Sequence, residues 1–444
     1  MKFRLIICLV LISTAAFAQK KRTVVPANMP LATIKQQSVY SLDIARPIEL
    51  FDANPTGSLW YFVDKFGLMK QMTINGKKLD RQFNEIPVLS TRLSPNGKYV
   101  IWTGFDRRFD DKGFNTTLTS VYRCDAKTCD SLGAYTSDFS QLFFTPNGEH
   151  WALTLPAANV LQEGVRDVVL VDGKVVSKGY PNPRKFSFSS DGKQWAYRSD
   201  EGKDENLITA DGKHLLYTKM SDNPYAGTRD PVIVRFSPDM KIGPNTLDGR
   251  DFDWKVRNVA TLYQTSYTKG AEDTAKKYLV FKGKRQLSSR WIKDVQIDSA
   301  GKHIVYFASD TIDQWKKNKK GNRAVVVRDG NIIAGPYDDA WRLFLSESGE
   351  HTAWTVITDS TVYFYLDGKK IEQVGEFFKI IWSPSEQQYA YATTDDHDKV
   401  YIVAGGKRSP SFDMIGKIGF TPDGKSIEYL AVKYDKILHV TQPL

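Results

Sequence analysis

The residues best placed by type and spacing to do chemistry fall in a few short stretches. Asp395-Asp396-His397-Asp398 sets three carboxylates around one imidazole. Its oxygens could hold calcium, and the imidazole could instead favour a transition metal. Asp248, Asp251 and Asp253 form a second oxygen-rich stretch, but it lacks the spacing of an EF-hand loop, and alternating acids need not converge on one point. Trp315 precedes Lys316 and Lys317 in a basic run; with Tyr337 it could grip an anionic or sugar ligand through cation–π and stacking contacts. Cys124 and Cys129 flank a short polar turn, where their sulfurs could meet across a hairpin as a disulfide or stay as thiols, with no accompanying ligand set for a metal. Each stretch also has a plain reading. The 395–398 cluster sits between Thr394 and Lys399 as an ordinary polar hairpin loop would, and the lysine run reads as a solvated connector.

Six histidines complete the inventory. His150, His303 and His351 stand two residues after a turn glycine, at places where other copies of the same segment carry Tyr99, Gln194 or Ser426. Such interchange favours a repeated structural position over catalysis. The chain has no His-Glu-x-x-His zinc motif, no Gly-x-Ser-x-Gly elbow, no phosphate-binding Gly-x-x-x-x-Gly-Lys-Ser/Thr and no dinucleotide fingerprint in a strand–helix setting. A site assembled from several distant loops would leave no such linear trace.

The elements that must position these residues announce themselves by repetition. Phe144-Thr145-Pro146-Asn147-Gly148-Glu149-His150-Trp151-Ala152-Leu153 returns at 93–102, 188–197 and 420–429, and in weaker form at 297–306, 345–354 and 382–391, with degenerate copies near Gly57 and Met240. The marks lie roughly 37 to 61 residues apart, a spacing of multi-strand repeats. Within each, Ser/Thr-Pro-Asp/Asn-Gly turns the chain: proline presets φ, the Asx side chain caps its own turn and glycine accepts positive φ. Period-two residues then open a strand, as Trp151 and Leu153 do. A second hairpin signal lies between marks, at Asn75-Gly76, Asp172-Gly173, Asp329-Gly330 and Asp367-Gly368. Two hairpins per unit predict four antiparallel strands, the blade of a propeller.

The marked segment, best seen at 93–102, 144–153 and 420–429, resembles the WD40-like propeller repeats of the TolB type. That resemblance covers the chain after about residue 45 and implies an all-β fold: a β-propeller of four-stranded antiparallel blades. Eight blades are expected, with seven or nine as alternatives because 199–290 divides ambiguously. The resemblance is specific for fold and poor for function, because family members include binding modules and domains attached to peptidases and lyases.

Residues 1–18 read as a signal peptide: Lys2 and Arg4, an apolar run from Leu5, then Ala16-Phe17-Ala18. Residues 19–45 form an extended lead-in whose 39–44 stretch could serve as the ring-closing strand, since the carboxy terminus lacks a final hairpin partner. Residues 46–444 then make a single propeller domain. No later apolar run is long enough to span a membrane.

The formal net charge of +10, or +8 without Lys2 and Arg4, permits attraction to anionic glycans, lipids or nucleic acid and specifies none. Export makes nucleic acid an unsuitable partner. The expectation is a periplasmic or secreted, non-enzymatic scaffold that binds an envelope or extracellular protein or glycan, with no obligatory cofactor. The alternatives are an enzyme processing polysaccharide or peptide at the propeller mouth and a structural envelope protein.

Overall fold

The computed structural model describes residues 29–109, 115–137, 140–145, 147–155, 167–177, 184–188, 192–193, 195–201, 204–209, 214–219, 233–234, 242–243, 260–264, 277–282, 284–287, 289, 291–298, 300–309, 324–358, 361–373, 375, 377–395 and 397–444. They form consecutive antiparallel meanders. The first blade comprises Ile48–Ala53, Trp60–Phe66, Met69–Ile74 and Lys77–Phe83. The second comprises Arg92–Leu93, Val100–Phe109, Asn115–Cys124 and Cys129–Thr136. A third spans 141–175, and further four-stranded sheets span 184–219, 291–337, 339–373 and 377–408. Between 219 and 291 the described residues contribute a two-stranded and a three-stranded sheet.

The last blade is composite. Ser426–Lys433 and Lys436–Pro443 pair with each other, the split inner edge Met414–Ile415 and Gly419–Phe420 pairs on one side, and Lys35–Ser41 from the amino end pairs on the other. The expected donated strand thus exists, a few residues earlier than 39–44. Its approach is guided by the 377–408 blade, where Ala32 N–H donates to Arg408 O (2.8 Å) and Arg408 N–H donates to Pro30 O (3.0 Å).

The core is a series of seams between neighbouring sheets, because each sheet buries both faces against its neighbours. Tyr61, Val63 and Met72 of the first blade pack with Val100 and Trp102 of the second; Ile101 and Val121 of the second pack with Trp151 and Leu153 of the third. Equivalent seams follow along the chain. Phe51, Ala53, Trp60 and Phe62 of the first blade then pack on Leu430, Val432 and Ile437 of the last, and Lys417 N–H donates to Ala53 O at 2.9 Å. First and last blades therefore meet, as a propeller requires.

Where both are described, the marked turns and the Asn-Gly or Asp-Gly turns lie at the same end of the sheet. Asn75, Asp172, Asp329 and Asp367 hold φ of 47–50°, each followed by a glycine at 79–87°. Two successive positive φ values make the hairpin turn whose twist matches the flanking strands. The blade-to-blade connections and the middle hairpins lie at the opposite end, hereafter the loop face.

Candidate functional site

The marked-turn end is closed by local chemistry. Thr145 Oγ1 accepts from His150 N–H (3.0 Å) and donates to Asn147 Oδ1 (2.7 Å); Ser94 does the same for Tyr99 N–H and Asn96. Adjacent blades are tied there as well, with Asn96 Nδ2 donating to Gly148 O (2.9 Å) and Tyr99 Oη to the same carbonyl (2.8 Å). The three equivalent histidines belong to this layer. His150, His303 and His351 hold Asp172, Asp329 and Asp367 through Nδ1 at 2.7–2.8 Å. The other oxygen of each aspartate accepts from the N–H of Trp151, Ile304 or Thr352. Asn75 performs that second duty for Trp60 in a blade without the histidine. His150 and His303 also face the marked glycine of the following blade, Gly192 and Gly349. They are structural, as interchangeability at that position indicates.

The repeat that lost its glycine keeps the conformation: Glu386 holds φ of 56°. Its carboxylate accepts from Ser348 N–H (2.9 Å) and from the Ser348 hydroxyl. Against the upward pull of burial, those bonds hold the Glu386 carboxyl below its usual range.

The loop face differs in kind. Ile44, Phe66, Leu68, Val88, Leu89 and Tyr434 are all exposed there, with Ile44 86%, Leu68 87% and Tyr434 83% accessible. They project from neighbouring connections of the last, first and second blades. Leu42 N–H donates to Asp435 O (2.7 Å), joining the Ile44 loop to the Tyr434 turn. The Arg46 guanidinium lies 5.3 Å from the Phe66 ring centre, and Asn84 Nδ2 reaches Met69 Sδ at 3.4 Å, linking the Leu68 hairpin to the Val88 connection. The base is rigid. Arg46 Nη2 bridges Asp64 Oδ1 (2.8 Å) and Gln71 Oε1 (2.9 Å), and Lys70 Nζ joins Glu49 (2.6 Å) to Glu85 (2.5 Å). Burial lifts the Asp64 carboxyl above its ordinary value although Arg46 and Lys78 pull it down. A crest of exposed apolar side chains on adjoining connections, above a polar, ion-paired base, is the anatomy of a contact surface.

Of the residues singled out by sequence, Asp395 lies at the loop face as a turn cap. Its Oδ1 accepts from the N–H groups of His397 and Lys399, each at 2.9 Å, and its Oδ2 from Ser411 Oγ at 2.7 Å. Burial would raise its carboxyl, but Ser411 and the two N–H groups hold it below the usual range. Asp398 N–H donates to Asp395 O at 3.2 Å, while Asp396 lies outside the described residues. So do Asp248, Asp251, Asp253, Trp315, Lys316 and Lys317. Among the described residues no three His, Cys, Asp or Glu side chains gather as a metal would need.

Tyr337 lies apart from any loop. It ends the strand Asn331–Tyr337, is half-buried and packs against Tyr365 with ring centres 5.5 Å apart, because it covers the seam between two blades. Cys124 and Cys129 are direct cross-strand partners joined by a disulfide of 2.02 Å, with Trp102 Nε1 3.1 Å from the Cys124 sulfur. The crest itself was invisible to motif reading. Its signal was isolated apolar residues at turn positions, as in Phe66-Gly67-Leu68, where polar residues are the norm.

Among the described residues no helix is long and apolar enough to cross a membrane. No protein-family model and no curated protein matches the chain. Among solved structures it is similar to the β-propeller domain of the Trilobed protease from Pyrococcus furiosus, at 12% identity over 73% of this chain and 96% of that one, with a TM-score of 0.33. It is also similar to TolB from Acinetobacter baumannii, at 12% identity over 78% and 81%, with a TM-score of 0.26. A further similarity is to the Pyrococcus horikoshii acylaminoacyl peptidase, at 12% identity over 88% of this chain and 59% of that one, with a TM-score of 0.33. Those likenesses carry no functional weight; the marked repeats, the four-stranded sheets and the meeting of first and last blades make the chain a β-propeller.

Proposed function

We propose that the chain is an exported, non-enzymatic binding scaffold that docks an envelope or extracellular protein on its loop face. The observation that carries this reading is the crest of Ile44, Phe66, Leu68, Val88, Leu89 and Tyr434, exposed together on the connections of adjoining blades. Apolar side chains in water at loop tips contribute nothing to the seams of the fold, whereas burying them against a partner is favourable by roughly 25 cal/mol per Å². The rigid blades supply pre-organisation, which lowers the entropic cost of docking. The basic, apolar and small-residue order of positions 1–18 and the bonded cysteine pair support an oxidising compartment outside the cytoplasm.

A photo-crosslinking residue placed at position 68 in the native host tests the reading, with position 175, exposed on an outer strand of the third blade, as control. A discrete protein adduct is expected from position 68 alone, lost when Ile44 and Leu89 are both replaced by serine. The same adducts from both positions, or adducts indifferent to the serine changes, would refute it.

A further inference from the structure

The opposite end of the innermost strands carries a second feature that the crest does not use. Asp52 and Arg92 each stand in the closing residues of an inner strand, in the first and second blades. Lys379 lies on the inner strand of the 377–408 blade, just after its β-bulge, and Lys417 lies between the two inner segments of the last blade. Bulges turn a side chain out of the ordinary alternation. Lys417 reaches past the first blade to the second, its Nζ donating to Ser94 O at 2.8 Å and Leu93 O at 3.3 Å. Four neighbouring blades thus place three cations and one carboxylate on the strands that line the axis.

The donors of this group are largely unused. Among the described residues Lys379 is exposed and has no hydrogen-bond or ion-pair partner, and Arg92 has one long contact, Nη1 to Leu142 O at 3.5 Å. Burial lowers Lys417, and while Asp52 counters this, Lys379 and Arg92 push it further down. A fold needs no gathering of like charges at one point, and an excess of that kind marks a site for the opposite charge.

We infer that Arg92, Lys379 and Lys417 form an axial oxyanion site, which takes a phosphate or carboxylate group of a ligand entering at the marked-turn end. The guanidinium offers a planar pair of donors and the lysines supply point charge. The Ser94 and Leu93 carbonyls hold Lys417 in place and leave the other two cations to face the ligand.

Calorimetric titration of the full chain with inorganic phosphate, and separately with glutarate, tests this at ionic strength held constant with sodium chloride. Saturable binding of at least one anion is expected, weakened about tenfold or more by Lys379→Gln and by Arg92→Gln. Both side chains lie outside the packed seams, so the variants should fold, and circular dichroism verifies it. Lys436→Gln, at the loop face, should bind as the parent does. Heat no greater than that of added chloride, or affinity unchanged in Lys379→Gln and Arg92→Gln, would overturn the site. Which anion binds separates phosphate-bearing from carboxylate-bearing ligands. The crest serine variant should keep its anion affinity, so failure here leaves the loop-face reading standing, and failure there leaves this one.

Discussion

The two ends of the blades contrast sharply. At the marked-turn end the same side-chain bonds recur from sheet to sheet: a Ser or Thr hydroxyl closes the turn and an Asx carboxylate or amide caps the next strand, and several turns touch the next one. At the loop face large apolar side chains stand in water. One end specifies the ring and has little freedom to vary. The other inherits a rigid platform and can carry recognition.

Glycines at the two ends offer the sharpest way to break this contrast. Gly148 and Gly67 have similar φ values, 68° and 61°, but a Cβ at Gly148 would meet Asn96 N at 2.7 Å, whereas at Gly67 nothing lies within 4 Å. Either alanine costs about 1–2 kcal/mol for the left-handed backbone alone. Gly148→Ala should cost clearly more, because the neighbouring backbone must move. Urea denaturation of both variants measures the gap, and equal losses would erase the distinction between the ends.

Next in size is Asp172→Ala, which leaves Trp151 N–H without its acceptor and releases His150. A loss of about 1–3 kcal/mol is expected from the orphaned donor, and Asp172→Asn should recover most of it, since Asn75 already serves that role in the first blade. A pH-gated effect follows at Asp52. Burial raises its carboxyl above the usual 3.8 although Lys417 and Lys379 pull it down, so the folded chain binds this proton more tightly than the unfolded one. Its contribution to stability therefore falls as pH rises from about 3.8 through the raised folded value. Compared with the parent, Asp52→Asn should gain relative stability as pH rises across that window; a gap constant with pH would remove this account. Smallest of all, serine at Ile44 or Leu89 should change stability by less than about 0.5 kcal/mol each, measured by thermal unfolding, while the two changes together abolish the crosslinks from position 68.

Legibility followed the same division. The strand–turn–strand marks, the Asp-Gly hairpins and the structural rank of His150, His303 and His351 were readable because turn chemistry is local: proline, Asx and glycine act within four residues. The Cys124–Cys129 bond was readable for the same reason, as a short hairpin brings its flanks together. The place of Tyr337 was not readable, because burial at a seam depends on the neighbouring blade's Tyr365, which no local pattern names. The partner of each histidine lies 16 to 26 residues away, beyond any turn signal.

By itself, the order of residues determined the blade: where each strand ends, which turn follows and which face alternates inward, all set by backbone preferences and period-two burial. Only the packing of blade on blade decided the rest. It brought Lys35–Ser41 beside the carboxy-terminal strand, set Lys417 against carbonyls more than three hundred positions away, and gathered scattered apolar loop tips onto one face. Those juxtapositions arise from packing sheet on sheet around an axis, where distance in space is set by seam geometry and distance along the chain no longer counts.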